Sequence, residues 1–182
     1  MLYEFGKVED YEKFINEYTT GAFSTFDMEV FIPQVKKIKE KGTYLEIGVD
    51  RGKSLLTAFL AAPEGVNVIG IDICDTDERR EAFRLLGLEN YISFIHGESS
   101  QVAKYWQTPI DVLFIDGNHS YEYVLSDIKN WGKFVVKGGA ILFHDCDESS
   151  PGVVQATNES FPGNIQLFKT PEKNTSMAKV QL

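Results

Sequence analysis

From Thr43 onward the chain alternates short apolar runs with helical patterns, and few folds accept that rhythm. Residues 44–49, 66–71, 91–95, 112–115 and 140–143 read as strands, and 53–62, 76–86, 99–106 and 121–135 read as helices between them. Strands that alternate with helices in this way predict an α/β fold built on a mainly parallel sheet. The strands are nearly continuous apolar runs, as expected where helices cover both faces. Two helical patterns come first, over 8–18 and 28–40; in the second, Phe31, Val35 and Ile38 recur at helical spacing, and Lys41-Gly42 supplies a terminating cation and glycine. The tail from Gln155 adds strand candidates at 165–168 and 177–181, joined by a polar loop over 170–175. These predict an antiparallel hairpin at one edge of the sheet.

At 182 residues, with no repeat or low-complexity linker, the chain reads as a single domain: a helical cap over 1–42 and a core over 43–182. Hydrophobic residues at 43% and charged residues at 25% are ordinary globular usage, which argues against wholesale disorder. The formal net charge is −9 and no run of Lys and Arg interrupts it, so a phosphate backbone is a poor partner and a small neutral or cationic substrate a better one. Cys74 and Cys146 lie far apart in no metal-ligand spacing, which fits a reducing cytoplasm. The first residues lack the apolar stretch of a signal peptide, and no run approaches the ~20 apolar residues that a membrane span needs. A cytoplasmic protein without membrane contact is expected.

The segment TYLEIGVDRGKS carries the first chemistry. A strand ends in Glu46 and Gly48, a tight turn follows, and Gly52 opens a helix. Glycines there allow a sharp turn and close ligand approach, and the helix N-terminus favours polar or anionic groups. A dinucleotide fingerprint fails because Asp50 stands where its second glycine belongs. A P-loop would use Gly52-Lys53-Ser54, but its cradle is one residue short and contains an aspartate. A bland alternative keeps Glu46 as a structural cap or ion-pair partner. The spacing of Glu46, Gly48 and Gly52 resembles motif I of class I S-adenosylmethionine-dependent methyltransferases. That resemblance implies that Glu46 helps hold the cationic methionine end, that Gly48 and Gly52 form the cradle, and that Ser54 joins the cofactor-binding set.

The next strand ends in Asp72, about twenty residues beyond Gly52, where an acidic residue can take both ribose hydroxyls. The third ends in Gly97-Glu98-Ser99, a corner that contacts adenine in the resembled family and that equally suits an ordinary helix cap. His96, just before it, reads as structural.

Two later strands end in Asp116 and Asp145 and deliver Asp116, Asn118, His119, His144, Asp145 and Asp147 to one rim. In open α/β sheets ligands sit outside the carboxyl ends of the strands. Ser120 reads as a helix cap, and a hydrogen-bonded helix-start role for His119 stays open. The strings IDGNHSYEYVLSDIKNW and KGGAILFHD resemble methyltransferase family 24, the group of macrocin O-methyltransferase-like and cephalosporin-biosynthesis enzymes, over residues 43–154. More distantly they resemble catechol O-methyltransferase.

The resemblance implies a Rossmann-like, doubly wound seven-stranded sheet of order 3-2-1-4-5-7-6 with strand 7 antiparallel. It implies S-adenosylmethionine as methyl donor and O-methylation of a small hydroxylated acceptor such as a sugar or phenol. It implies Asp116, His144 and Asp145 as ligands of a divalent cation, with Asp116 also serving the cofactor and catalysis. His119 stands where the macrocin-type pattern has its general base. An acid or amide usually occupies the position of His144; carboxylates suit Mg²⁺, whereas an imidazole suits Mn²⁺ or Fe²⁺ better. The competing classes are a P-loop-like nucleotide-binding protein and a non-catalytic S-adenosylmethionine-binding protein. Little inserted material shapes an acceptor pocket, which leaves room for a second subunit of a homo-oligomer, and residues 18–30, with Phe23, Phe26 and Met28, are a candidate lid.

Overall fold

A computed structural model describes residues 5–170 and 176–182. The seven strands β1 (Thr43–Ile47), β2 (Asn67–Asp72), β3 (Ile92–His96), β4 (Ile110–Ile115), β5 (Val135–His144), β6 (Gln166–Lys169) and β7 (Ser176–Gln181) form one sheet of order β3-β2-β1-β4-β5-β7-β6. The first five are parallel; β7 runs antiparallel to both β5 and β6. This is the doubly wound, Rossmann-like arrangement expected from the sequence. The loop expected over 170–175 lies, from 171 on, outside the described residues.

Strand side chains alternate between faces, and the two faces bury separate cores. Tyr44, Val68, Val112, Phe114 and Leu142 meet α1 (Val8–Ile15), α2 (Thr25–Val35) and α3 (Lys53–Ala61), together with Ala82 and Phe83 of α4 (Asp77–Leu85). Leu45, Ile47, Leu113, Ile115, Ile141 and Phe143 meet α5 (Ser99–Ala103), α6 (Tyr121–Trp131) and α7 (Pro151–Ser160). The same parity assigns Glu46 and His144 to the face that the N-terminal helices cover. Among the described residues no helix is long and apolar enough to cross a membrane.

Several boundaries differ from the expected ones. The second helix begins and ends earlier than 28–40 because Ser24 caps it: its hydroxyl accepts from the Asp27 N–H while Asp27 accepts from the Ser24 N–H. Lys41 takes a left-handed φ of 65° in the turn that follows, and Ile38 is still buried. The first helix stops at Ile15 and gives way to turns before residue 18. The fifth stops at Ala103 rather than at 106.

α6 yields at Gly132 to a 3₁₀ turn, Gly132–Phe134, and β5 starts at Val135, where β-branched Val135 and Val136 favour an extended chain. The register between β4 and β5 shifts between Ile110 and Val112. α7 was not anticipated from the sequence; Pro151 at its first turn is the start signal that was there to read.

Candidate active site

The carboxyl ends of β1 to β5 frame two cavities that share Gly48 and Gly117. Gly48, Ser54, Asp116, His119, His144 and Asp145 line the first, of about 250 Å³. Gly48, Asp72, Gly97, Glu98 and Ser99 line the second, of about 210 Å³. Glu46 and Gly52 line neither. A larger hollow of about 560 Å³ lies at the opposite end of β2; its lining holds one carboxylate, Glu64, and no cation.

The turn after β1 is tightly specified. Gly48 has φ +85°, and a Cβ there would stand 2.2 Å from the Asp116 carbonyl oxygen, so the ends of β1 and β4 approach as only glycine permits. Gly52 has φ +84° and is backed by the Arg79 side chain, whose guanidinium stacks on Phe94 and donates to the Asp50 carbonyl. Asp72 braces the same turn: Oδ2 accepts from the N–H groups of Val49 (2.7 Å) and Asp50 (2.9 Å), and Oδ1 accepts from Cys74 (2.8 Å).

Glu46 is wholly buried behind the turn. It accepts from the Tyr44 hydroxyl at 2.5 Å and from the Ser54 hydroxyl at 2.6 Å. Burial pushes its pKa from 4.5 up to about 8, although those two hydrogen bonds pull the other way. Its place is therefore beneath the cradle, where it orders the turn, and direct reach into the first cavity falls to Ser54.

Around the first cavity, charge is concentrated. His144 is 4% exposed, with Nδ1 3.3 Å from Asp116 Oδ1 and 3.2 Å from Asp145 Oδ2. Its Nε2 faces Asp27 Oδ1 at 3.4 Å; neither atom has a hydrogen bond of good geometry, and Asp27 is fully buried. Burial opposes a charge on His144, but the three carboxylates outweigh it and push the pKa up to about 12. His119 is more open, with Nε2 3.6 Å from Asp116 and 3.7 Å from Asp145, and Nδ1 3.5 Å from the Ser150 hydroxyl. The Asp116 carboxylate beside it raises its pKa despite partial burial. Burial would raise Asp145, but the His144 imidazolium holds it below the usual carboxylate range. Asp145 also takes a left-handed φ of 50°, which Asp tolerates better than most residues.

The cluster thus contains Asp27, which sequence reasoning missed. Its sequence signal, the Ser24-x-x-Asp27 capping box, accounts for Oδ2, which accepts from the Ser24 N–H and hydroxyl at 2.7 Å each, and says nothing of Oδ1. Donor atoms of Asp116, His144 and Asp145 lie within 4.8 Å of one another, close enough for one cation to touch all three. Residues 20–23 wall the same cavity; Thr19 donates to the Arg51 carbonyl, and Phe23 packs on His144.

In the second cavity the caps fall differently from expectation. Glu98, not Ser99, accepts from the Ser100 N–H at the start of α5, and Ser99 donates to Asp127. Ser120 makes no side-chain cap; the Asn118 side chain accepts from its N–H instead. His96 rests on the Ile73 carbonyl at 2.9 Å, outside both cavities.

The chain is similar to known proteins in sequence and in fold. A family model described as a methyltransferase domain matches residues 45–146. The chain is 34% identical over 137 residues to the uncharacterized protein R132 of Acanthamoeba polyphaga mimivirus, covering 66% of this chain and 60% of that protein. It is 27% identical over 150 residues to tapetum-specific methyltransferase 1 of Arabidopsis thaliana, covering 79% of this chain and 62% of that one. The chain therefore spans about three fifths of the length of both relatives. Among solved structures, the O-methyltransferase from Bacillus cereus in complex with SAH superposes with a TM-score of 0.71 at 14% identity, over 100% of this chain and 93% of that one.

Proposed function

The chain belongs to the methyltransferase-domain family, and from that premise we propose that it transfers a methyl group from S-adenosylmethionine to a hydroxyl oxygen of a small acceptor. The observation that carries the reading is the position of His119, between Asp116 and Asp145 on a cavity that continues past Gly48 to Asp72, Gly97, Glu98 and Ser99. The net charge of −9 favours a small acceptor over a phosphate backbone.

In this reading the Gly48–Gly52 backbone and Ser54 receive the methionine end, while Glu46 holds the turn from below. Asp72 takes the ribose through lone pairs left free by its three backbone bonds. When bound, the sulfonium supplies an electrophilic methyl carbon, and the electrons of the broken C–S bond return to sulfur. The protein's own task is to align and deprotonate the acceptor. His119 takes the acceptor's proton, and Asp116 and Asp145 orient its ring and raise its basicity.

The residues also fit a divalent cation. With a cation on His144 Nδ1, the remaining ring proton on Nε2 would be accepted by Asp27 Oδ1, which now lacks a partner, in the usual carboxylate–histidine–metal order. Asp116 and Asp145 would complete the protein ligands. One imidazole with two carboxylates suits Mn²⁺ or Fe²⁺ better than Mg²⁺, and such an ion would lower the pKa of an acceptor hydroxyl.

Calorimetry with S-adenosylhomocysteine and with ATP tests the donor assignment: saturable binding of the first and none of the second is expected, and tight ATP binding would sink it. In a methyl-transfer screen of phenol, catechol and sugar acceptors, His119→Ala is expected to lower turnover by about 10²–10⁴ with little change in S-adenosylhomocysteine affinity. Unchanged turnover would remove His119 as the base. Mn²⁺ titration is expected to show binding that Asp145→Asn abolishes; no binding to the wild type would leave the cluster as an ion-pair network.

A further inference from the structure

Asp50, in the turn after β1, has an uncommon backbone conformation. Its φ of 45° lies in the left-handed region, where a non-glycine residue persists only if its surroundings fix it, and it lines the first cavity. The Asp72 carboxylate fixes one side by accepting from the Asp50 N–H at 2.9 Å. The start of α4 fixes the other: the Asp50 carbonyl accepts from the Arg79 guanidinium at 2.8 Å and from the Thr76 hydroxyl at 3.1 Å. Arg79 also donates to the Cys74 carbonyl at 3.3 Å and to Asp75 Oδ1 at 2.6 Å, both in the loop that leaves β2. Its side chain is 1% exposed, its stem lies under Gly52, and its guanidinium sits 3.5 Å from the centroid of the Phe94 ring on β3.

Arg79 lines neither cavity, yet it joins the walls of both. Asp50 belongs to the first cavity, while Cys74 and Asp75 directly follow Asp72 and Ile73, which belong to the second. The residue type matters. A planar fork of N–H donors can reach two carbonyls and a carboxylate at once while its face rests on an aromatic ring, and a lysine ammonium has no such plane. We infer that Arg79 is a positioning residue for the cofactor: through Asp50 it holds the methionine-side turn in fixed register with the ribose-side loop after β2, so that one ligand engages both. Asp72 grips the turn only by the N–H groups of Val49 and Asp50. Without Arg79 the Asp50 carbonyl keeps a single side-chain bond, from Thr76, and the left-handed turn is free to relax away from the ligand.

The inference rests on the cofactor assignment, and two ligands separate their failures. S-Adenosylhomocysteine spans both halves of the site, whereas methylthioadenosine lacks the amino-acid end. Arg79→Lys keeps the charge and loses the fork. In calorimetry of the full chain it is expected to bind S-adenosylhomocysteine about tenfold more weakly than the wild type and methylthioadenosine within about twofold of it. A general loosening of the fold would weaken both ligands alike. Equal losses, or undiminished S-adenosylhomocysteine affinity in the folded variant, would overturn the inference and leave the cofactor assignment standing. Absence of S-adenosylhomocysteine binding to the wild type would overturn both. Where Arg79→Lys fails to fold in a thermal-unfolding check, Asp75→Ala decides, since it removes the partly exposed carboxylate that orients the guanidinium. The same split between the ligands is expected there at about threefold, and equal affinities to the wild type for both would overturn the inference.

Discussion

Glu46 makes the stability of the protein depend on pH in a definite direction. Its folded pKa of about 8 stands above its ordinary 4.5, so the proton is held more tightly in the folded state. The stability it contributes is fully present below about 4.5 and is lost as pH rises through about 8. His144 and Asp127 are shifted in the same direction but remain in a Glu46→Gln variant, so the informative quantity is a difference of slopes. The melting temperature of the wild type is expected to fall more between pH 5 and pH 8 than that of Glu46→Gln; equal slopes would dismiss Glu46 as the source. The importance of Glu46 was legible because an acid ends the first strand just before a glycine turn. Its actual bonds follow from parity: Tyr44, two residues earlier, shares its face of β1, and Ser54 reaches it from the first turn of α3.

α2 links its own capping to the charged cluster. Ser24 caps the helix and at the same time donates twice to Asp27 Oδ2, which leaves Oδ1 facing His144. Ser24→Ala is therefore expected to destabilise the protein by about 1 kcal/mol, measured by urea unfolding. A loss below about 0.3 kcal/mol would mean that the cap is dispensable. The element boundaries show what local patterns miss. Helical spacing of Phe31, Val35 and Ile38 carried the expected helix past residue 35, yet Ile38 is buried from a turn, because burial does not require helix. The apolar pattern over 140–143 marks only the last part of β5, since Lys137, Gly138 and Gly139 interrupt it, and there Gly138 takes a φ of +85° where the register with β4 shifts.

At the scale of the molecule, the chain leaves β1 toward β2 and β3 and then returns to the other side of β1 as β4. A crevice opens at such a switch point, and here the ends of β1 and β4 meet at Gly48 and Gly117, the two residues common to both cavities. A ligand that spans both should tie the halves of the sheet together. S-Adenosylhomocysteine at a hundred times its Kd is expected to stabilise the fold by about 2.7 kcal/mol, a rise in melting temperature of roughly 5–10 °C for a chain of this size. No shift at that concentration would mean that the crevice does not hold it.

The sequence by itself determined the alternation of strands and helices, the residues that end each strand, and, through its resemblance to a known family, the order of the sheet. These depend on periodicity and on turn chemistry, which are local. Tertiary structure decided which of the polar residues meet one another. Asp27 faces His144 because the N-terminal helices cover the face of the sheet to which strand parity sends His144, and Asp127 meets Ser99 because α5 and α6 pack side by side. Both pairings arise from elements distant in sequence brought within a few ångströms, where burial makes a carboxylate's choice of partner energetically decisive.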